Sequence, residues 1–185
     1  MLFKRFTEES RRAVYFAREV ALSADARAID SEHILLGLMI GKNSRANMLF
    51  GLREILPEQF ALLSNLKHHP VGVKEPPLTR DGKRILAFAA EEANGQRDYW
   101  IDTDHLVLGV LREQECAACK ALNKVGIDIE TARRTVSDNK ASRPDHGRSP
   151  VLWWAVRRPF RRFTVLAGLL GLFLGWYLVE VLTTK

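Results

Sequence analysis

The sequence predicts an all-α protein built from a tandem repeat, followed by a C-terminal transmembrane helix. Apolar residues recur three and four positions apart, which is typical of amphipathic helices, and the chain aligns with itself at a shift of 72 residues. An uncharged apolar run near the C-terminus predicts the membrane span. No stretch alternates apolar and polar residues in the way that a half-buried strand does.

The repeat is read by aligning residues 7–38 with residues 79–110. Eleven of the 32 aligned positions are identical, and the alignment needs no gap. The identical pairs include His33 with His105 and Gly37 with Gly109. The body of the chain, residues 1–137, is therefore predicted to be a duplication.

The helices of the first repeat, residues 1–66, begin at recognisable caps. Thr7 suits an N-cap because two glutamates follow it, where the helix dipole favours carboxylates. Ser31 is predicted to cap the second helix, with Glu32 at its start. The remaining helices of this repeat are expected near residues 44–53 and 57–66.

The second repeat, residues 78–137, copies both helix starts. Thr79 and Thr103 are its predicted caps, and further helices are expected near residues 115–125 and 128–137. Residues 67–77 contain three prolines and a glycine, which exclude a continuous helix and predict a linker between the repeats.

The positive charge is confined to the C-terminal part of the chain. The formal net charge is +6, but residues 1–137 hold 20 Lys and Arg against 19 Asp and Glu. Residues 138–185 hold 8 against 3. A nearly neutral body argues against a basic groove, so we expect no nucleic-acid partner.

The C-terminal region is predicted to anchor the protein in a membrane. Residues 138–150 are polar and without periodicity, which predicts a flexible tether. Residues 163–182 are the predicted transmembrane helix. Twenty helical residues span about 30 Å, which is the thickness of a bilayer core. A buried C-terminal core helix is the alternative interpretation. The N-terminus carries charges that exclude a signal peptide, so the N-terminal body is expected on the cytoplasmic face of the cytoplasmic membrane, with a single pass.

Residues 151–162 combine aromatic and basic side chains directly before the predicted span. Indole rings suit the headgroup region and arginines suit anionic lipid, so this segment is expected to contact membrane lipid, with a solvated tether as the alternative. The predicted interface residues are Trp153, Trp154, Arg157, Arg158, Arg161 and Arg162.

Small residues within the span repeat every four positions. Ala167, Gly171 and Gly175 would line one helix face, and a GxxxG spacing allows close helix packing. The spacing therefore favours a homodimer through this helix, and a chance occurrence of the motif is the alternative interpretation.

The cysteines and histidines of residues 1–137 that could take part in catalysis or metal binding do not predict either. Cys116 and Cys119 form a C-A-A-C pair without a second pair to complete a zinc site, and they are interpreted as small buried helix residues. His33 and His105 each follow a carboxylate, but no third ligand lies at helical spacing, so they are interpreted as structural. We expect no catalytic residue, no metal and no cofactor.

The residues D-S-E-H-I-L-L-G-L at 30–38 and D-T-D-H-L-V-L-G-V at 102–110 resemble the paired motifs of the Clp amino-terminal (Clp R) domain, which precedes the ATPase modules of Clp-type AAA+ unfoldases. The resemblance covers about residues 1–137. It implies two four-helix repeats related by a pseudo-twofold axis. It also implies that the module docks adaptor proteins and substrates.

One departure from that family concerns nucleotide chemistry. The sequence contains no G-x-x-x-x-G-K-[ST] motif, so ATP hydrolysis is not carried over. The expectation is a non-catalytic, membrane-anchored module that binds a Clp adaptor, a substrate or an unfoldase component. The alternative is a scaffold or signalling protein that reuses the fold without a role in proteolysis.

The duplicated helix starts are candidate ligand sites. Helix N-termini accept anions, and a carboxylate can pair with a guanidinium. In one branch of the family that the chain resembles, the matching positions recognise phosphorylated arginine. This implies two quasi-equivalent sites, at Thr7 with Glu32 and at Thr79 with Asp104, where the aspartate is shorter than the usual glutamate. The alternative is that these residues only cap their helices.

Overall fold

Helices form where the apolar spacing predicts them. A computed structural model describes residues 2–56 and 76–142, and over these ranges the all-α class is confirmed. The α-helices are α1 Glu8–Ser23, α2 Ser31–Ile40, α3 Arg45–Phe50, α4 Leu52–Ile55, α5 Arg80–Gly95, α6 Thr103–Arg112, α7 Ala117–Lys124 and α8 Ile129–Asp138. Two short 3-10 helices span Leu2–Arg5 and Lys140–Ser142.

Several predicted segments lie outside the described residues. They are the helix near 57–66, most of the linker, the end of the tether, residues 151–162 and the span at 163–182. Within residues 2–56 and 76–142, none of the helices has the length and apolar character needed to cross a bilayer.

The first helix of each repeat begins where it was predicted to begin. Thr7 and Thr79 are the N-caps of α1 and α5, and each hydroxyl accepts a hydrogen bond from the third helical residue. The second helices begin differently. Asp30 and Asp102 are their N-caps, so the prediction of Ser31 and Thr103 was wrong by one position.

The aspartates displace the hydroxyl residues as caps because a histidine completes the arrangement. The Asp30 carboxylate accepts the backbone N–H groups of Glu32 at 3.0 Å and His33 at 3.2 Å. In return, the Asp30 N–H donates to His33 Nδ1 at 3.1 Å. This is a capping box in which histidine takes the place of the usual glutamate.

The helix predicted near 44–53 is broken into two. Gly51 has φ of 56° and ψ of 36°, a left-handed conformation that ends α3, and its N–H donates to Asn47 O at 2.9 Å. Because glycine adopts this conformation at little cost, the chain turns there and starts the short α4.

Backbone contacts between the repeats occur in pairs whose residues are 72 positions apart. Thr7 N–H donates to Ile101 O at 3.0 Å, and Thr79 N–H donates to Ile29 O at 2.9 Å. Matching isolated parallel bridges join Phe6 with Ile101 and Leu78 with Ile29. Each repeat therefore pairs the segment before its first helix with the segment before the second helix of the other repeat, as a pseudo-twofold relation requires.

Candidate functional site

The four predicted ligand residues lie at helix starts, but the predicted grouping was wrong. A Cβ on Gly41, directly after α2, would lie 3.8 Å from the Glu9 carboxylate in the first turn of α1. The end of α2 is thus beside the start of α1. Thr7 therefore lies near the C-terminal end of α2, whereas Glu32 lies at its N-terminal end. The ten residues of α2 span about 15 Å along its axis.

The structure instead joins helix starts from different repeats. The Thr7 hydroxyl lies 3.2 Å from Asp102 Oδ1, at the start of the helix that carries Asp104. Thr79 is held against Ile29, directly before the helix that carries Glu32. The helix starts that meet are therefore those of Thr7 and Asp104 at one place and those of Thr79 and Glu32 at the other.

Most polar groups at these helix starts are already used internally. Thr7 is 3% exposed, and its hydroxyl accepts the Ser10 N–H at 3.2 Å. The half-buried Thr79 hydroxyl accepts the Gly82 N–H at 3.1 Å. Since the two hydroxyls already bind these backbone N–H groups, the carboxylates of the second helices decide what each pair of helix starts can bind.

Asp104 is buried in an ion pair that joins the repeats. Its Oδ2 lies 2.9 Å from Arg45 Nε, and the side chains are 0% and 6% exposed. Asp104 Oδ1 accepts the N–H of His105 at 2.8 Å. The guanidinium of Arg45 also donates from Nη2 to Asn139 O at 3.1 Å. The end at Asp104 is therefore closed, and sequence reasoning missed Arg45 because its partner is 59 positions away.

Glu32 differs from Asp104 in both exposure and pairing. Its side chain is exposed, and within the described part of the chain its carboxylate forms no ion pair. The position is otherwise equivalent, since it is the second residue of α2 as Asp104 is of α6. The Glu32 end thus presents a carboxylate to solvent, and a ligand role there stays a prediction.

The two histidines have structural contacts. His33 and His105 each accept a backbone N–H through Nδ1, which places the ring proton on Nε2 in a neutral ring. Nε2 of the fully buried His105 lies 3.5 Å from Asp98 Oδ2. The described residues contain no group of three His, Cys, Asp or Glu that could hold a metal ion.

The two cysteines are free and buried. Cys116 is the N-cap of α7, and its sulfur accepts the N–H of Cys119 at 3.3 Å. Burial raises the pKa of the Cys116 thiol above its ordinary 9.0 and does the same to Cys119. Neither thiol is therefore activated as a nucleophile, since the nucleophilic form is the thiolate.

A pocket of 260 Å³ opens between α1 and the end of α2. Phe16 and Leu38 contribute apolar surface to it, and Glu9 and Arg12 form an ion pair beside it at 3.6 Å. It can hold an apolar side chain next to a charged one. Sequence reasoning did not identify it.

Comparison with known proteins assigns the family. The family model of the Clp repeat (R) N-terminal domain matches residues 5–116 and 77–150. The negative regulator of genetic competence ClpC/MecB of Bacillus subtilis (strain 168) is 30% identical over 141 residues. That match covers 74% of this chain but 17% of the relative, so the chain spans about a sixth of that protein's length.

Solved structures show the same fold. The N-terminal domain of ClpD from Arabidopsis thaliana has a TM-score of 0.58 at 21% identity, over 77% of this chain and 98% of that one. A structure described as a peptide from the EAEC T6SS Sci1 SciI protein has a TM-score of 0.58 at 20% identity, over 80% and 96%. The duplicated helices, the 72-residue register and the family match agree: this chain belongs to the Clp repeat (R) N-terminal domain family.

Proposed function

We propose that this protein is a non-catalytic docking module that presents a Clp N-terminal fold at the cytoplasmic face of a membrane. Its partner is a protein: a Clp adaptor, a substrate or an unfoldase component. Family membership supports the docking role, and the SciI description of a similar structure names a peptide. Residues 163–182 supply the anchor in this proposal, and residues 151–162 contact lipid.

The observation that carries the proposal is the exposed carboxylate of Glu32 beside the capped start of α5. Within the described residues it forms no ion pair, whereas the equivalent Asp104 binds an arginine. A carboxylate in this position suits a cationic side chain, and guanidinium forms the strongest such pair. We therefore place the docking of an arginine or phosphoarginine side chain at Glu32, next to Thr79.

Co-purification of the full chain in mild detergent tests the proposal. Recovery of unfoldase subunits, Clp adaptors or Clp substrates is the expected result, and it should weaken with Glu32→Ala. Glu130→Ala is the matched control. Glu130 is also the second residue of its helix, and its N–H donates to the capping Asp128 carboxylate at 2.9 Å. Recovery of an unrelated complex alone would favour the scaffold alternative.

A further inference from the structure

The cysteine pair of the second repeat occupies the positions of a serine–asparagine pair in the first. Cys116 takes the place of Ser44 in the 72-residue register. Cys119 takes the place of Asn47 in the same register. In each repeat the earlier residue is the N-cap of the third helix, and its side chain accepts the N–H of the later residue. The two pairs therefore cap α3 and α7 in the same way with different chemical groups.

The polar pair of the first repeat forms strong hydrogen bonds to the end of α2. Asn47 Nδ2 donates to Leu38 O at 3.0 Å and to Gly41 O at 2.8 Å. The same nitrogen lies 3.3 Å from Met39 O. The amide group thus satisfies carbonyl groups that have no partner within the helix that carries them.

The cysteine pair serves the matching carbonyl groups of α6 less well. Cys116 Sγ lies 3.8 Å from Val110 O. Cys119 Sγ lies 3.4 Å from Leu111 O. Because S–H is a weak donor, two cysteines make poorer hydrogen bonds at these positions than serine and asparagine do. Thiol chemistry is the property that the exchange adds.

The two sulfur atoms lie close to each other over the first turn of α7. Cys119 N–H donates to Cys116 Sγ at 3.3 Å, and the Cys119 sulfur is three bonds away from that nitrogen. Positions three apart in a helix have Cα atoms about 5 Å apart, which is within the range that a disulfide spans. C-x-x-C is also the spacing of dithiol redox motifs. The geometry therefore suits a disulfide between the two residues.

We propose that Cys116 and Cys119 are a dithiol–disulfide pair, which a small-molecule disulfide oxidises to an internal disulfide across the first turn of α7. Cys116 reacts first because it is 5% exposed and Cys119 is 1% exposed. Its thiolate attacks one sulfur of the reagent, forms a mixed disulfide and releases one thiolate. The Cys119 thiolate then attacks the Cys116 sulfur and releases the second thiolate. The two cysteine protons pass to these thiolates, so the reagent is reduced to two thiols.

The surroundings of the pair favour the oxidised form. Burial is the main cause that raises the pKa of both thiols, and the Glu113 carboxylate adds to it. The reduced pair is thus not stabilised as a thiolate, which is the feature that makes some C-x-x-C pairs strong oxidants. The same pKa values keep the exchange slow at neutral pH and let it accelerate as the pH rises.

The disulfide would also brace a contact between the repeats. Ala118 lies between the two cysteines, and its N–H lies 3.5 Å from Ser31 Oγ at the start of α2. A covalent bond across this turn holds that N–H in place. We therefore expect the oxidised domain to unfold at a higher temperature than the reduced one, and this expectation does not depend on docking at Glu32.

Treatment of the full chain in detergent with oxidised glutathione at pH 8 tests the inference. Because the chain contains two cysteines, the mass of the intact protein distinguishes the products. The expected product has lost two hydrogen atoms, remains a monomer on a non-reducing gel, melts at a higher temperature and is restored by dithiothreitol. A persistent glutathione adduct, a disulfide-linked dimer, a lower melting temperature, or oxidation of the urea-unfolded chain alone would overturn the inference.

The double variant Cys116→Ser with Cys119→Asn is the matched control, because it supplies the capping pair that the first repeat uses. Its melting temperature should not respond to oxidised glutathione, and a shift as large as that of the wild type would overturn the assignment to this pair. Cys119→Ser alone should stop at the glutathione adduct of Cys116, since the second thiol is missing. A chain of that variant that stays unmodified would contradict the first attack by Cys116.

Discussion

A Cβ atom on Gly37 would lie 2.2 Å from the carbonyl oxygen of Ala13 and 2.8 Å from the nitrogen of Ala17. Gly109 stands in the same relation to α5, where a Cβ would lie 2.4 Å from the Ile85 carbonyl oxygen. These distances are far inside van der Waals contact and involve backbone atoms. The first two helices of each repeat therefore approach so closely that only glycine fits between them.

Gly37→Ala should lower the free energy of unfolding by about 2–3 kcal/mol, because α1 and α2 must separate to admit the methyl group. Gly95→Ala is the matched control, since a Cβ there meets nothing within 4 Å. It should be neutral or stabilise the protein by up to about 1 kcal/mol. Urea unfolding measures both, and equal effects of the two substitutions would contradict the close approach.

Arg45→Ala should lower the free energy of unfolding by roughly 3 kcal/mol, because it leaves the fully buried Asp104 carboxylate without its guanidinium. Lys120→Ala removes an ion pair with Glu115 whose side chains are 64% and 91% exposed. That control should cost less than about 1 kcal/mol. Chemical denaturation compares the two, and a loss no greater for Arg45→Ala would mean that Asp104 finds another partner.

Glu32→Ala should weaken binding of a phosphoarginine peptide by roughly 10- to 150-fold, since a charge-assisted hydrogen bond is worth about 1.5–3 kcal/mol. Titration calorimetry gives the affinity. A thermal melt is needed beside it, because loss of a carboxylate in the first helical turn costs up to about 1 kcal/mol of stability. Glu130→Ala, which also removes an exposed ion pair with Arg133 at 3.0 Å, should lower the melting temperature at least as much and leave the affinity unchanged.

If the wild type has no measurable affinity for such a peptide, Glu32 and Thr79 only stabilise the starts of their helices. Partner recognition would then lie elsewhere, and the pocket between α1 and α2 would be the next surface to test.

Cys116 and Cys119 should react slowly with iodoacetamide in the native protein. Burial raises both pKa values above 9.0, so the reactive thiolate fraction at pH 8 is smaller than for an ordinary cysteine and grows as the pH rises toward the raised pKa. The urea-unfolded chain is the control and should react at the ordinary rate. Fast native labelling at pH 8 would contradict the burial of the pair.

A chain that ends at Pro150 should be soluble, helical and absent from the membrane fraction, whereas the full chain should sediment with membranes after a salt wash. The physical reason is the uncharged run from residue 163 to 179, preceded by four arginines. Sedimentation and circular dichroism measure both properties. A truncated protein that remains with washed membranes would refute the anchor at residues 163–182.

The sequence determined the elements whose causes are local. The apolar spacing determined the helices, and the 72-residue register determined that the two halves fold alike. Thr7 and Thr79 were identified as caps because a hydroxyl followed by a helix is a short-range signal. The prediction missed the capping aspartates by one position, because a histidine completes each capping box at the place where a glutamate is usual.

Only the tertiary structure decided which helix starts meet. The end of α2 lies beside the start of α1, so these two helices present their starts at opposite ends, and Thr7 lies beside Asp102 and not beside Glu32. Arg45 pairs with Asp104 across the pseudo-twofold junction. A local pattern cannot predict such a pair, because the energy of a buried charge depends on the groups that the fold brings to it from distant parts of the chain.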